Sequence, residues 1–381
     1  MVPPSMHKGG ILSFAPFASF TVLVGLSSLV ACGSGGGGGG GGSSGGGSGG
    51  GSCSTVVEDT NLQQCSSCSP SGNCTTAQPL DACCNWVAEP KDPLLEGTGL
   101  HRYSAPPGTP ANTPGNTTCL GAATPLGTKQ TVTLTGYVWL FSSGQDSAGV
   151  QVDVYTENNP NSDGSISASP IGTYTTTSSD PIDPTDTSWN TKCNNGCSYR
   201  QYTIQNVPTE TPLVIKTSDA GSMQWATLYD YNIYFSNSEV QGGKVSYDAE
   251  AVAGPDLTTV AQTVGQTIQP NMGLLAGEVH DCADVRVAGA TVASNASNNP
   301  TTYYFTADES NPLPSLEQTD TSILGLYGFI NVPTGSPVRV SAVAEDPGNA
   351  GQYLMIGTYT VQVYPGAVTA LVLRGRRPWQ P

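Results

Sequence analysis

Charge, histidine and helical periodicity are all scarce in this chain. Only 11% of its 381 residues are charged, and 13 Lys and Arg face 29 Asp and Glu. The formal charge of −16 repels phosphate backbones and anionic head groups, so no nucleic-acid partner is expected. Histidine occurs three times, at His7, His101 and His280, with no closely spaced pair to bind a metal. No G-x-S-x-G elbow, phosphate-cradling glycine loop or zinc-protease motif is present. These absences remove most enzyme classes. The expectation is a non-enzymatic protein with no catalytic residue, no cofactor and no resident metal. Helix is expected in a single place, over 255–265, where Leu257, Val260, Ala261 and Val264 recur at i, i+3, i+4 and i+7 behind Pro255.

Glycine, by contrast, is abundant, and much of it lies near the start. Residues 1–10 carry Lys8 and no acid, residues 11–31 are largely apolar, and small residues follow, the order of a secretory signal. Leu29-Val30-Ala31-Cys32 resembles the lipobox of bacterial lipoproteins. That resemblance implies cleavage after a signal peptide of residues 1–31 and lipidation of Cys32, with several acyl chains anchoring the protein in a membrane. Gly33, where some bacteria use Asp as an inner-membrane signal, points the expected address to the outer membrane of a bacterial cell envelope. Residues 33–52 are only Gly and Ser, so residues 32–52 read as a flexible tether reaching about 25 Å.

Ten cysteines remain after Cys32, an even number suited to disulfides in an exported chain. Cys53, Cys65, Cys68, Cys74, Cys83 and Cys84 crowd into a Cys-rich module, 53–84, that is too poor in apolar residues to fold without cross-links. Cys193 and Cys197 flank an Asn-Gly turn that suits a short bridge. Cys119 and Cys282 then pair by elimination.

Residues 85–127 are a Pro/Thr-rich linker, after which alternation takes over. Val132, Leu134, Val138 and Leu140, and then Val150, Val152 and Val154, have the period of half-buried strands. The segment YTIQNVPTETPLV at 202–214 recurs as YGFINVPTGSPVR at 327–339. Upstream, TGYV at 135–138 and AGVQV at 148–152 match AGEV at 276–279 and AGATV at 288–292. A repeat this long is a whole domain, and each copy holds about seven strand-like runs. The expected fold is all-β: two tandem antiparallel β-sandwich domains, 128–250 and 272–376, joined by a connector at 251–271 that carries the short helix.

The pattern of G-x-V, A-G-A-x-V and Y-x-F-x-N-V-P-x-G-x-P resembles carboxypeptidase regulatory-like domains, with the second copy matching more closely. The resemblance implies a transthyretin (prealbumin)-like sandwich and an accessory, adhesive or structural role, and it brings no catalytic residue. The expected protein is therefore a cell-envelope lipoprotein presenting two such domains to a protein or glycan partner. Two alternatives rest on particular residues. Tyr229 and Tyr231 share a strand face and, with Trp225, would stack on sugars if exposed, making a carbohydrate-binding accessory protein. Asn159, Asn161 and Asp163 place oxygens at alternate positions before Gly164, as in the loop of a calcium-stabilised adhesin, but the leading Asp and the closing Glu are missing.

Overall fold

The computed structural model describes residues 101–102, 114–120, 125–141, 146–160, 162–182, 199–221, 224–307, 313–346, 348–349, 352–375 and 377–379. Cys32, the tether, the Cys-rich module, Asn161, Cys193 and Cys197 lie outside the described residues.

Strands account for nearly all the regular structure. They run β1 (His101–Arg102), β2 (Thr131–Leu140), β3 (Val150–Thr156), β4 (Gly172–Thr175), β5 (Gln201–Pro208), β6 (Leu213–Asp219), β7 (Trp225–Ala226), β8 (Leu228–Ile233), β9 (Lys244–Ser246) and β10 (Ala249–Ala253). Helix α1 (Gly254–Thr263) follows, with Pro255 in its first turn and Gly265 in the left-handed region just past its end. Then come β11 (Met272–Val279), β12 (Val287–Ala288), β13 (Ala290–Ser294), β14 (Thr301–Phe305), β15 (Pro314–Ser315), β16 (Leu326–Pro333), β17 (Pro337–Glu345), β18 (Tyr353–Gln362) and β19 (Val368–Leu373).

The two copies are built alike. In the first, β2 lies between antiparallel β5 and parallel β9 and β10, facing a second sheet in which β6 joins β3 to β8. In the second, β11 lies between antiparallel β16 and parallel β19, facing a sheet in which β17 joins β13 to β18. Alternate residues of β2 (Val132, Leu134, Val138, Leu140) point into the first core, as the period of two requires.

The repeated motif is explained by the backbone. Tyr202 lies opposite Gly136, and its hydroxyl donates to the carbonyl of Tyr247, 2.7 Å away. Tyr327 lies opposite Gly277 and donates to the carbonyl of Leu371 at 2.9 Å. A Cβ on either glycine would come within 1.8 Å of that same carbonyl oxygen, so only glycine lets the parallel neighbour approach. The motif's Asn is the extra residue of a β-bulge in each copy, held left-handed at φ 64 for Asn206 and 65 for Asn331. Gly335 is left-handed too, and Glu210 fills the matching place in the first copy at φ 51. Its carboxylate offsets that strain by accepting from the backbone N–H of Gly127 and Asn237 and from the Tyr234 hydroxyl.

The two sandwiches are not separate in their sheets. The edge strand β8 of the first pairs in parallel with β19 of the second, from Leu228 opposite Val368 to Tyr231 opposite Leu371. One sheet of nine strands, β15-β14-β16-β11-β19-β8-β6-β3-β4, therefore crosses the whole body. The first repeat's other sheet covers one half of it on one face; β13, β17 and β18 cover the other half on the opposite face. Helix α1 fills the remaining space beside β10, over Leu274, Tyr303 and Ile330. This double coverage is why β16 and β19 are almost wholly apolar and buried.

Candidate functional site: a charged knot where the repeats and both chain ends meet

Joining the sandwiches edge to edge brings strand ends that are far apart in sequence to one place, and carboxyl groups collect there. Glu278, near the end of β11, has no exposed surface. One carboxylate oxygen accepts from Arg286 Nη2 at 2.7 Å and the other faces His280 Nε2 at 2.5 Å. The other ring nitrogen of His280 lies 2.8 Å from Asp284 Oδ1, which also pairs with Arg374 at the end of β19. Burial alone would raise the Glu278 carboxyl, but Arg286 and His280 outweigh it and hold it below the usual range. Asp284 lies well below its usual value, because Arg374 and His280 overcome burial. Burial opposes charge on His280, yet its two carboxylate neighbours raise its pKa and favour the imidazolium.

Deeper in the seam the acids have cations only at longer range, Arg374 for Asp230 and Arg286 for Glu250. Asp230 on β8 is buried, accepts a hydrogen bond from the Tyr247 hydroxyl at one oxygen, and has no partner at Oδ1. Burial pushes it up to about 7, with the nearby Glu278 charge adding to the shift. Glu250 on β10 is buried with an unbonded Oε2, and burial beside Asp230 and Glu278 raises it well above the carboxylate range. It borders a cavity of about 30 Å³ under α1, lined otherwise by apolar residues such as Leu228, Val260, Tyr303 and Ala370. That is room for about one or two waters.

Both ends of the described chain arrive at the knot. The segment ahead of the first repeat docks on the second: β1 pairs with β12, and a disulfide joins Cys119 to Cys282 across 163 residues. Asn116 N–H donates to Asp281 at 2.8 Å, and Cys282 N–H donates to the Asn116 carbonyl at 2.9 Å. From the other end, the residues after β19 turn back over the first repeat. Arg377 donates to the side-chain and backbone oxygens of Asn232, both at 2.6 Å, and Trp379 packs on Tyr234. Gly375 sits so close to Cys119 that a Cβ there would lie 2.5 Å from its sulfur.

Chemically the knot binds itself. His280 lies between two carboxylates, and its thiol neighbour Cys282 is oxidised, so base and nucleophile are not paired there. What the arrangement does is hold separate chain segments together through charge-assisted hydrogen bonds in a largely buried site.

The aromatic residues that would stack on sugars if exposed do not form a platform. Tyr231 has no exposed surface, because the loop after β3 covers it and the Gly164 carbonyl accepts its hydroxyl at 2.8 Å. Trp225 lies on a different sheet and is 6% exposed. Tyr229 is half-buried and stacks on Tyr364 with ring centres 3.9 Å apart. The loop carrying Asn159 and Asp163 serves as an interface. Asp163 accepts from Ser165 N–H and from Asn159, its carbonyl accepts from Gln362, and Glu157 accepts from Tyr359, so the loop fastens the first repeat to β18. Among the described residues no group of three or more His, Cys, Asp and Glu is arranged to hold a metal ion, and no helix is long and apolar enough to cross a membrane.

No motif in the sequence marks Glu278, Asp284, Arg286, Arg374, Asp230 or Glu250 as a functional group. Their only signal was charge or carboxylate inside apolar strand runs, as in AGEV at 276–279 and YDY at 229–231.

No protein-family model matches the chain, and no curated protein matches it. Among solved structures it is similar to two mutants of the shaft pilin spaA from Lactobacillus rhamnosus GG. For the first the identity is 10%, over 65% of this chain and 100% of that chain, with a TM-score of 0.18. For the second it is 11%, over 65% and 99%, with a TM-score of 0.17. Nothing about this chain's site or partners follows from likeness at those scores.

Proposed function

We propose that this is a non-enzymatic lipoprotein of a bacterial cell envelope, anchored through acylated Cys32, that presents two carboxypeptidase regulatory-like sandwiches for binding, adhesion or a structural role. One observation carries the reading. The residues that make the repeat recognisable all serve the backbone: Gly136 and Gly277 admit a neighbouring strand, Tyr202 and Tyr327 bond across them, and Asn206 and Asn331 turn a bulge. A motif used in this way is a device for building a rigid body. Placed after a lipobox and a Gly/Ser tether, such a body suits display beyond a membrane surface.

The test is metabolic labelling with an alkyne fatty acid in a bacterial host. Wild-type protein should be labelled and Cys32→Ala should not. Label persisting in the variant, or an unacylated wild-type chain by intact mass, refutes the anchor.

A further inference from the structure

The covalent order of the chain and the order of its contacts disagree at the N-terminal side. By sequence, a tether at residues 33–52 leads toward the first repeat. In space, the segment just ahead of that repeat is fastened to the second one. β1 pairs with β12, the Asn116 N–H donates to the Asp281 carboxylate while its carbonyl accepts from the Cys282 N–H, and Cys119 is covalently joined to Cys282. Leu120, the next residue, is buried in the second repeat's core. The whole first repeat and α1 thus lie inside a loop closed by that disulfide.

From this we infer that Cys119–Cys282 and its strap form a mechanical bypass: tension arriving along the N-terminal tether enters the second repeat directly and does not pull on the backbone of the first. The inference deepens the proposed role and rests on it for the source of tension, a membrane anchor; the bypass itself follows from connectivity. A pull on residue 119 is carried by a covalent bond to residue 282, at the turn that Asp281 and the charged knot hold. The stretch from 120 to 281 carries none of that pull. The first repeat still feels a partner bound to it, but through the side-by-side ladder of β8 and β19 and the clamp of Arg377 on Asn232, which spread the load over many bonds. Glu210, Tyr202 and the bulge at Asn206, which set the first repeat's shape, lie within the protected loop.

Single-molecule stretching of the full mature chain, held at its two ends, tests this. The sequence separation of 163 between the linked cysteines hides about 570 Å of contour length at about 3.5 Å per extended residue. Oxidised wild-type protein should therefore reach full extension about 570 Å short of the Cys119→Ser/Cys282→Ser variant, with its ruptures confined to the length outside the loop. Adding a reductant to folded wild-type protein should restore the missing length, which keeps the test open if the variant folds poorly. Bridges within residues 53–84 would release at most about 110 Å on reduction, too little to be mistaken for the loop. Wild-type traces of full length before reduction, or traces matching the variant's, overturn the bypass. Absence of lipid would not alter these lengths, so the anchor and the bypass fail independently.

Discussion

Replacing Asp230 by Asn removes the titration of a buried carboxyl whose Oδ1 has no hydrogen-bond partner. The Asp230 carboxyl faces the Tyr247 hydroxyl, the buried Glu250 and Glu278, and, at longer range, Arg374. Its pKa is raised from 3.8 to about 7 by burial, so between those values the folded chain holds a proton that the unfolded chain has released. Stability from this group therefore falls as pH rises through that window, and above pH 7 the deficit is constant. Between pH 5 and pH 8 the loss is about 3 kcal/mol, at about 1.4 kcal/mol per pH unit up to the folded pKa. Asn keeps the neutral shape, still accepts from Tyr247, and does not titrate. Urea unfolding of wild type and Asp230→Asn, followed by tryptophan fluorescence at pH 5 and pH 8, gives the comparison. His280 is present in both proteins, so its own titration cancels in the difference. The variant's advantage should grow by about 3 kcal/mol from pH 5 to pH 8. A difference that does not change with pH would show that Asp230 is not held protonated by its surroundings, and the account of the seam would fail.

Gly277→Ala should cost about 3 kcal/mol or prevent folding, because the added methyl meets the Leu371 carbonyl and β11 must leave β19. Gly335→Ala, with open space around it and only its left-handed φ to oppose the change, should cost about 1 kcal/mol in the same urea titration. Glu278→Leu leaves Arg286 and His280 without their shared carboxylate in a buried place and should destabilise by about 4 kcal/mol at pH 7. A loss under 1 kcal/mol would mean that the knot is not what holds the junction.

How far the fold was legible depended on whether a feature is written in side chains or in backbone. Alternation marked β2 and β3, and the i, i+3, i+4 spacing marked α1, because burial of one face leaves a period in the sequence. The repeat pointed to two like sandwiches, and the matched Tyr–Gly pairs explain why those letters recur. The β8–β19 ladder left no such mark. Edge strands pair through N–H and C=O groups that every residue carries, so the partner of an edge cannot be read from its side chains. The stretch read as a linker, 85–127, contains the strap for a related reason: two residues of β1 and one turn are too short to show a period. Tyr231 shows the converse. Its alternation with Tyr229 is plain in the sequence, but whether that face meets solvent depends on the connection between β3 and β4, which folds back over it. The knot was hidden because Glu278, Arg286 and Arg374 come from three segments, and each charge by itself reads as a solvated position.

The distribution of cations argues that the junction is where this chain concentrates its polar design. A protein with 13 Lys and Arg against 29 acids has few positive groups to deploy, yet Arg286, Arg374 and Arg377 all lie at the meeting of the strap, the two repeats and the C-terminal segment. An apolar junction of equal area would be stable, but it would tolerate sliding of one sheet past the next, since hydrophobic contact has no direction. Bidentate and charge-assisted bonds fix both angle and register. The left-handed Asn232 makes the point in miniature. Its amide donates to the Val372 carbonyl, continuing the β8–β19 seam by one bond, while its oxygens receive Arg377 from the chain's far end. One residue thereby locks the register of the two repeats and the path of the C-terminal segment. With the strap fastened close by through Cys119, beside Gly375, the junction resists both rotation and separation of the two repeats.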